Sequence, residues 1–248
     1  MIIRRRLLGA FSAVGLGACS NQATARTVEP FLGLDQTIVP ASDALKIWKA
    51  IKAEGKGCPV IVGAPEVLAR LEEGFSISDE TPEAISVAAK TLKSPADLMR
   101  WASDQEIEEP EVGDWPSKRF GLAGGVLELQ TLDGKPPKDV SILTVPGSDD
   151  AEAFARLRWG DWNACPPPEI HMAVLRSWRQ RFGAELVGLG GDTLTFRVAR
   201  LPKTRREALE VAREAYAYCN DSVDQGLGNL SNLAAAMMVD EWWGFWWD

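Results

Sequence analysis
Histidine occurs once in this 248-residue chain, tyrosine twice and cysteine four times. Any chemistry that needs an imidazole must therefore run through His171. Cys58, Cys165 and Cys219 are far apart and irregularly spaced, which excludes a CxxC metal or redox motif. Basic charge is scarce, with 27 lysines and arginines against 35 acidic residues. That balance argues against nucleic acid or anionic lipid headgroups as the main partner. The apolar run from Leu7 to Ala18 falls short of the roughly 20 residues a membrane-crossing helix needs. Gly188, Gly190 and Gly191 read as a turn between strands, so no strand-to-helix glycine cradle for phosphate is present. No internal repeat or low-complexity tract is visible.

What is present begins with an address. Arg4, Arg5 and Arg6 precede the apolar run, which ends in small residues, the order of an export signal. Leu16-Gly17-Ala18-Cys19 resembles the lipobox of bacterial lipoproteins, which implies cleavage before a lipidated Cys19. Arg4-Arg5-Arg6-Leu7-Leu8 is similar to a twin-arginine signal and equally to an ordinary basic n-region, so the export route stays open. An aspartate after the cysteine tends to hold Gram-negative lipoproteins at the inner membrane; Ser20 favours the outer one. Without the three signal arginines, 24 basic residues face 35 acidic ones, a net of about −11 with histidine neutral. Membrane attachment of so acidic a chain has to come from the lipid, and a single acyl chain anchors only marginally. The expected organisation is a signal over 1–19, a linker over 20–30, an N-terminal α/β part over 31–139 and a C-terminal domain over 140–248.

Hydrophobic content of 46% and charged content of 25% are those of a globular body. In the N-terminal part the pattern predicts a helix from Ser42 to Glu54 and a buried strand from Pro59 to Gly63. Further helices start near Ala64-Pro65, Thr81-Pro82 and Ser94-Pro95. The acidic stretch from Asp104 to Lys118, broken by Pro110, Gly113 and Pro116, reads as a loop. Strands are expected over Val126 to Leu132 and Val140 to Val145. Toward the C-terminus, a helix over Pro168 to Phe182 is followed by strands at Leu186 to Leu189 and Thr193 to Ala199. The capping box Thr204-Arg205-Arg206-Glu207 opens a helix to about Cys219. A helix over Leu230 to Met238 and an aromatic strand from Trp242 to Trp247 close the chain. The fold class is α+β, a largely antiparallel or mixed sheet with packed helices.

Five segments carry a family resemblance: Gly160-Asp161-Trp162-Asn163-Ala164-Cys165-Pro166, Gly191-Asp192-Thr193-Leu194, Tyr216-Ala217-Tyr218-Cys219-Asn220-Asp221, Val223-Asp224-Gln225-Gly226 and Phe245-Trp246-Trp247-Asp248. Together they resemble the motifs of the DUF4253 family, bacterial domains without an established activity. The resemblance covers roughly Val140 to Asp248 and is weaker over Cys58 to Gly63; Asn220 departs from the proline expected after the cysteine.

Topology gathers some of these residues. In a helix–strand–strand–helix run each element reverses, so the helix from Pro168 and the helix from Thr204 lie antiparallel. Cys165, His171, Cys219, Asp221 and Asp224 are then expected at one end of the domain. Four readings of that end compete. Cys165 or Cys219 could be a thiolate nucleophile, with His171 as base and Asp221 orienting it. Cys165, His171, Cys219 and Asp221 could ligate zinc. Cys165 and Cys219 could pair as a disulfide. Most simply, His171 and the cysteines are satisfied core residues. The ten tryptophans suit packing better than a carbohydrate platform. Trp242 and Trp246 should face one way along the last strand, Trp243 and Trp247 the other. No metal or cofactor is expected, and the expected function is binding, to an envelope or secreted protein. The alternative is a cysteine-dependent hydrolase or a zinc site.

Overall fold
The structure, a computed structural model, describes residues 25–118, 120–130 and 135–247. The export signal, Cys19, Ser20 and part of the turn at Asp133-Gly134 lie outside the described residues.

Seven strands form one mixed sheet: β1 (Arg26–Phe31), β2 (Leu34–Pro40), β3 (Cys58–Gly63), β4 (Asp139–Val145), β5 (Ala184–Leu189), β6 (Thr193–Val198) and β7 (Trp242–Trp246). Their order across the sheet is β1-β2-β4-β3-β5-β6-β7. All neighbours run antiparallel except β3 and β5, which run parallel. β4 pairs Val140 with Val39 of β2 and Ile142 with Ile61 of β3. One sheet therefore runs through the boundary drawn at 139/140, and β1 begins inside the stretch read as a linker.

Side-chain alternation gives the sheet two buried faces. On the first, Val60, Leu143, Leu186, Phe196, Trp243 and Phe245 join the larger core. The helices α5 (Glu152–Leu157), α6 (Pro168–Phe182), α7 (Arg205–Tyr218) and α8 (Leu230–Met237) contribute to that core. So do α2 (Val67–Ile77), α3 (Pro82–Thr91) and α4 (Ala96–Asp104). On the second face Val39, Ile61, Val140, Ile142 and Val187 pack under α1 (Ala44–Glu54), whose Trp48 donates its indole N–H to the carbonyl of Pro59 at 2.7 Å. Trp243 is buried and Trp242 and Trp246 are half-buried, as strand alternation requires. Among the described residues no helix is long and apolar enough to cross a membrane.

Local signals behave as their chemistry dictates. Thr204 accepts the Glu207 backbone N–H at 3.2 Å, and the Glu207 carboxylate accepts that of Lys203 at 2.8 Å. Thr81 caps α3, with Pro82 at its first position. At Ser42 the expectation differs: Ala41–Asp43 is a 3-10 turn and α1 starts at Ala44. The strand expected over Val126 to Leu132 is absent from its described residues, which hold the 3-10 turn Leu127–Leu129. Its alternation of apolar and polar residues mimics a strand, but its backbone donors go elsewhere. Leu129 and Gln130 bond back to Val126 and Leu127, and the Leu127 N–H goes to the Thr195 hydroxyl at 3.0 Å. The segment crosses β3, β5 and β6 instead of extending the sheet.

Candidate functional site
The convergence expected from topology is present. Early α6 meets late α7 through His171 and Tyr218, and late α6 meets earlier α7 through Trp178 and Glu214, so the two helices are antiparallel. Pro167 and Pro168 set the entry to α6 and place Cys165 just before it. Cys165 Sγ lies 3.4 Å from His171 Nε2, and His171 Nδ1 lies 2.6 Å from the Tyr218 hydroxyl. Cys219 donates its thiol to the Trp246 carbonyl at 3.0 Å.

The carboxylates do not join them in the expected roles. Asp221 accepts from Gln225, and Asp224 accepts from Tyr216 and Asn220. Both belong to the π-helical turn Ser222–Leu227 and its approach, which satisfies them locally. Tyr218 holds the ring nitrogen for which Asp221 was the candidate partner. That partner was legible: Val211, Ala215 and Tyr218 continue one stripe at helical spacing.

The electrostatics of this chain oppose nucleophilic chemistry. Burial pushes the Cys165 and Tyr218 groups well above their ordinary values and Cys219 up to about 12. Burial also lowers His171 to about 3. A thiolate–imidazolium pair needs both shifts reversed. Cys58, Cys165 and Cys219 are all free thiols, so the disulfide reading fails here. Among the described residues no group of three or more His, Cys, Asp and Glu side chains is placed to hold a metal ion. His171 is 0% exposed, stacked on Phe154 with ring centroids 4.9 Å apart and flanked by Trp159 and Trp247. Thiol, imidazole and phenol form a neutral polar chain in an aromatic box.

That chain supports the loop above it. Gly160 has φ +120°, and a Cβ there would collide with the Pro166 carbonyl and sit 2.9 Å from the His171 ring. Around it Arg158, Asp161 and Asn163 all adopt positive φ, at 47°, 70° and 47°. Such concentrations of left-handed non-glycine residues persist only where the surroundings impose them. Here Arg158 donates to the carbonyls of Phe75 and Ser78, and the Trp159 indole N–H donates to the Gly190 carbonyl at 2.8 Å.

Two surface clefts share a wall near here, and the first of them opens beside this loop. The first, about 510 Å³, lies between α2, the 158–163 loop and Trp247, with half-buried Trp162 on its wall and Ile77, 81% exposed, beside it. The second, about 870 Å³, lies at the carboxyl ends of the parallel strands β3 and β5 and includes Gly63, Val67, Gly190 and Thr193. Arg70, Gly191 and Asp192 line both clefts, and Arg70 and Asp192 are ion-paired at 2.9 Å.

Glu128 lines the second cleft and is 5% exposed. Its Oε2 accepts from the Thr195 hydroxyl at 2.8 Å, while its Oε1 has no hydrogen-bond partner. Burial lifts this carboxyl from 4.5 to about 7, against the opposing pull of its own backbone N–H, the Thr195 and Thr193 hydroxyls and the Gly190 N–H. Glycine at 188 makes room for it, since a Cβ there would collide with the carboxylate. A lone glutamate in Leu-Glu-Leu resembles the solvent face of a strand, so no local signal marked it.

Residues 141–248 match the family described as "Domain of unknown function (DUF4253)". This part of the chain is a DUF4253 domain. No curated protein and no solved structure matches the chain. The DUF4253 domain supplies Trp162, Asn163, Gly191, Asp192 and Trp247 to the first cleft, all within segments singled out in the sequence. The region before it supplies α2 with Arg70, and Glu128. Both clefts are therefore built by the two parts together.

Proposed function
We propose that this chain is an envelope lipoprotein, anchored through Cys19 and facing the periplasm, whose globular part binds a protein partner and carries out no thiol chemistry. The outer membrane is the favoured location. One observation carries the binding reading: the polar groups best suited to catalysis are sealed in the core, while the segments around them shape a tryptophan-walled cleft open to solvent. Cys165 is 2% exposed and His171 0%. The burial shifts at Cys165 and His171 keep both neutral near pH 7, which removes the driving force for proton transfer between them. Ile77 beside the cleft is an exposed apolar contact of the kind that protein interfaces cover. The acidic surface favours a basic partner through long-range attraction.

A photo-crosslinking amino acid placed at Ile77 in cells tests this. A single discrete adduct is expected there and none from the exposed Val87 of α3. Equal adducts from both positions, or none at Ile77, overturn the binding reading. Rapid alkylation of Cys165 in the folded protein would restore the hydrolase alternative on Cys165, His171, Cys219 and Asp221. Mass spectrometry of the N-terminal peptide tests the anchor: an acylated Cys19 is expected, and an intact Met1 refutes it.

A further inference from the structure
We propose that the groove between α4 and α7 docks a short basic segment of a partner protein, which seats one apolar side chain in the groove and sets its lysines or arginines against the acidic rim. This surface is separate from the tryptophan-walled cleft, so the failure of either reading leaves the other standing.

The groove is built by both parts of the chain. α4 packs against α7, and the segment from Glu106 to Pro110 lines the space beside them. The Ile107 N–H returns to the Ala102 carbonyl at 3.0 Å, which folds that segment back onto the end of α4. The open space is about 550 Å³, within the size range of binding pockets. Its apolar lining is Met99 and Ala102 from α4, Ile107 and Pro110 from the following segment, and Tyr216 and Ala217 from α7. Met99 is 43% exposed, and its flexible thioether can repack around an inserted side chain.

Charge selects the occupant. Glu106, Glu108 and Glu109 line the groove and are exposed to solvent. Arg213, the one base among the described lining residues, is bonded to Glu109 at 2.7 Å, so those two charges cancel. Among the described residues Glu106 and Glu108 have no basic partner. Asp224 adds a third carboxylate. It accepts from the Tyr216 hydroxyl at 3.2 Å and from Asn220, neutral donors that leave its charge in place. The groove wall registers this field: burial, Asp224, Glu108 and Asp221 together push the Tyr216 hydroxyl up to about 12. An apolar floor under an unmatched acidic rim complements an apolar residue flanked by cations. The carboxylates come from two elements, the segment after α4 and the π-helical turn after α7. A chain bearing several cations matches them better than one small cation does.

Fluorescence anisotropy of the labelled peptide Lys-Arg-Gly-Leu-Gly-Arg-Lys with the full chain tests the proposal. The peptide is expected to bind, and less tightly as ionic strength rises. Serine in place of its leucine removes the anchor, and glutamine in place of its lysines and arginines removes the charge. Each change should weaken binding about tenfold. Glu106→Gln combined with Glu108→Gln should also lower affinity about tenfold. Glu29→Gln combined with Asp35→Asn removes the same charge from exposed positions on β1 and β2 and should leave affinity unchanged. Met99→Lys, at an exposed helix position, should weaken binding by placing a cation on the groove wall, and it serves if the glutamine variant fails to fold. Absence of binding to the parent chain overturns the proposal. So does equal affinity for the serine peptide, or an equal loss in the two double variants, because either means attraction to net charge alone. Full displacement of the peptide by an equal concentration of spermidine marks a small-polyamine site and overturns it as well.

Discussion

Replacing Glu128 by glutamine separates the charge of the second cleft from its shape, and stability measured against pH reads that charge directly. Burial lifts the Glu128 carboxyl from 4.5 to about 7 in the folded chain. Between those values the folded state keeps a proton that the unfolded state has released. Stability therefore falls as pH rises through this window, by about 1.4 kcal/mol per unit, and the loss is complete above the folded value. Glutamine has nearly the same volume, can still accept from Thr195 and does not ionise. The stability of the variant relative to the parent should accordingly increase by about 2–3 kcal/mol between pH 5 and pH 8. Urea unfolding followed by tryptophan fluorescence measures it, with ten indoles as reporters. His171 contributes a slope of the opposite sign: its folded value is lowered to about 3, so its stabilising effect fades as pH falls below about 6.5. That slope is common to both chains and cancels in the difference. A gap between variant and parent that stays constant from pH 5 to pH 8 would refute the assignment of a buried, titrating Glu128.

Because the chain has one histidine, its ring resonances are assigned without ambiguity, and they should hold the neutral chemical shift from pH 8 down to pH 5. A midpoint near 6.5 would mean that His171 is open to water. Thiol titration of the folded protein should label Cys58, which is half-buried, well before Cys165 and Cys219, which should react only on unfolding. Gly160→Ala should lower the midpoint of thermal unfolding and slacken the 158–163 loop, since the new methyl group meets the Pro166 carbonyl and the His171 ring. Trp178→Ala should cost about 3–5 kcal/mol, read by urea unfolding, because it empties a fully buried site between α6 and the sheet. It also strips the Glu214 carboxylate of an indole donor at 2.9 Å.

Periodicity and capping made α6, α7, β5, β6 and β7 legible in the sequence, because each is decided by contacts a few residues apart. Pro168 and Phe182 bound α6 as the pattern predicts, Thr204 and Glu207 cap α7, and Leu194, Phe196 and Val198 point into the core. A helix–strand–strand–helix run joined by short turns also dictated that Cys165, His171 and Cys219 meet at one end, and the DUF4253 domain was recognisable from its segments. Burial and partner choice were decided elsewhere. Whether His171 faces a cleft or a wall depends on Phe154, Trp159 and Trp247, which come from an earlier helix, the loop after it and the far end of the chain. The Leu127–Leu129 turn looked like a strand because alternation cannot tell which neighbour takes the backbone hydrogen bonds; Thr195, 68 residues away, takes one of them. Glu128 carries no local mark at all. Its ionisation is set by the dielectric of its surroundings and by the gap at Gly188, and both exist only once β3, β5 and β6 lie side by side.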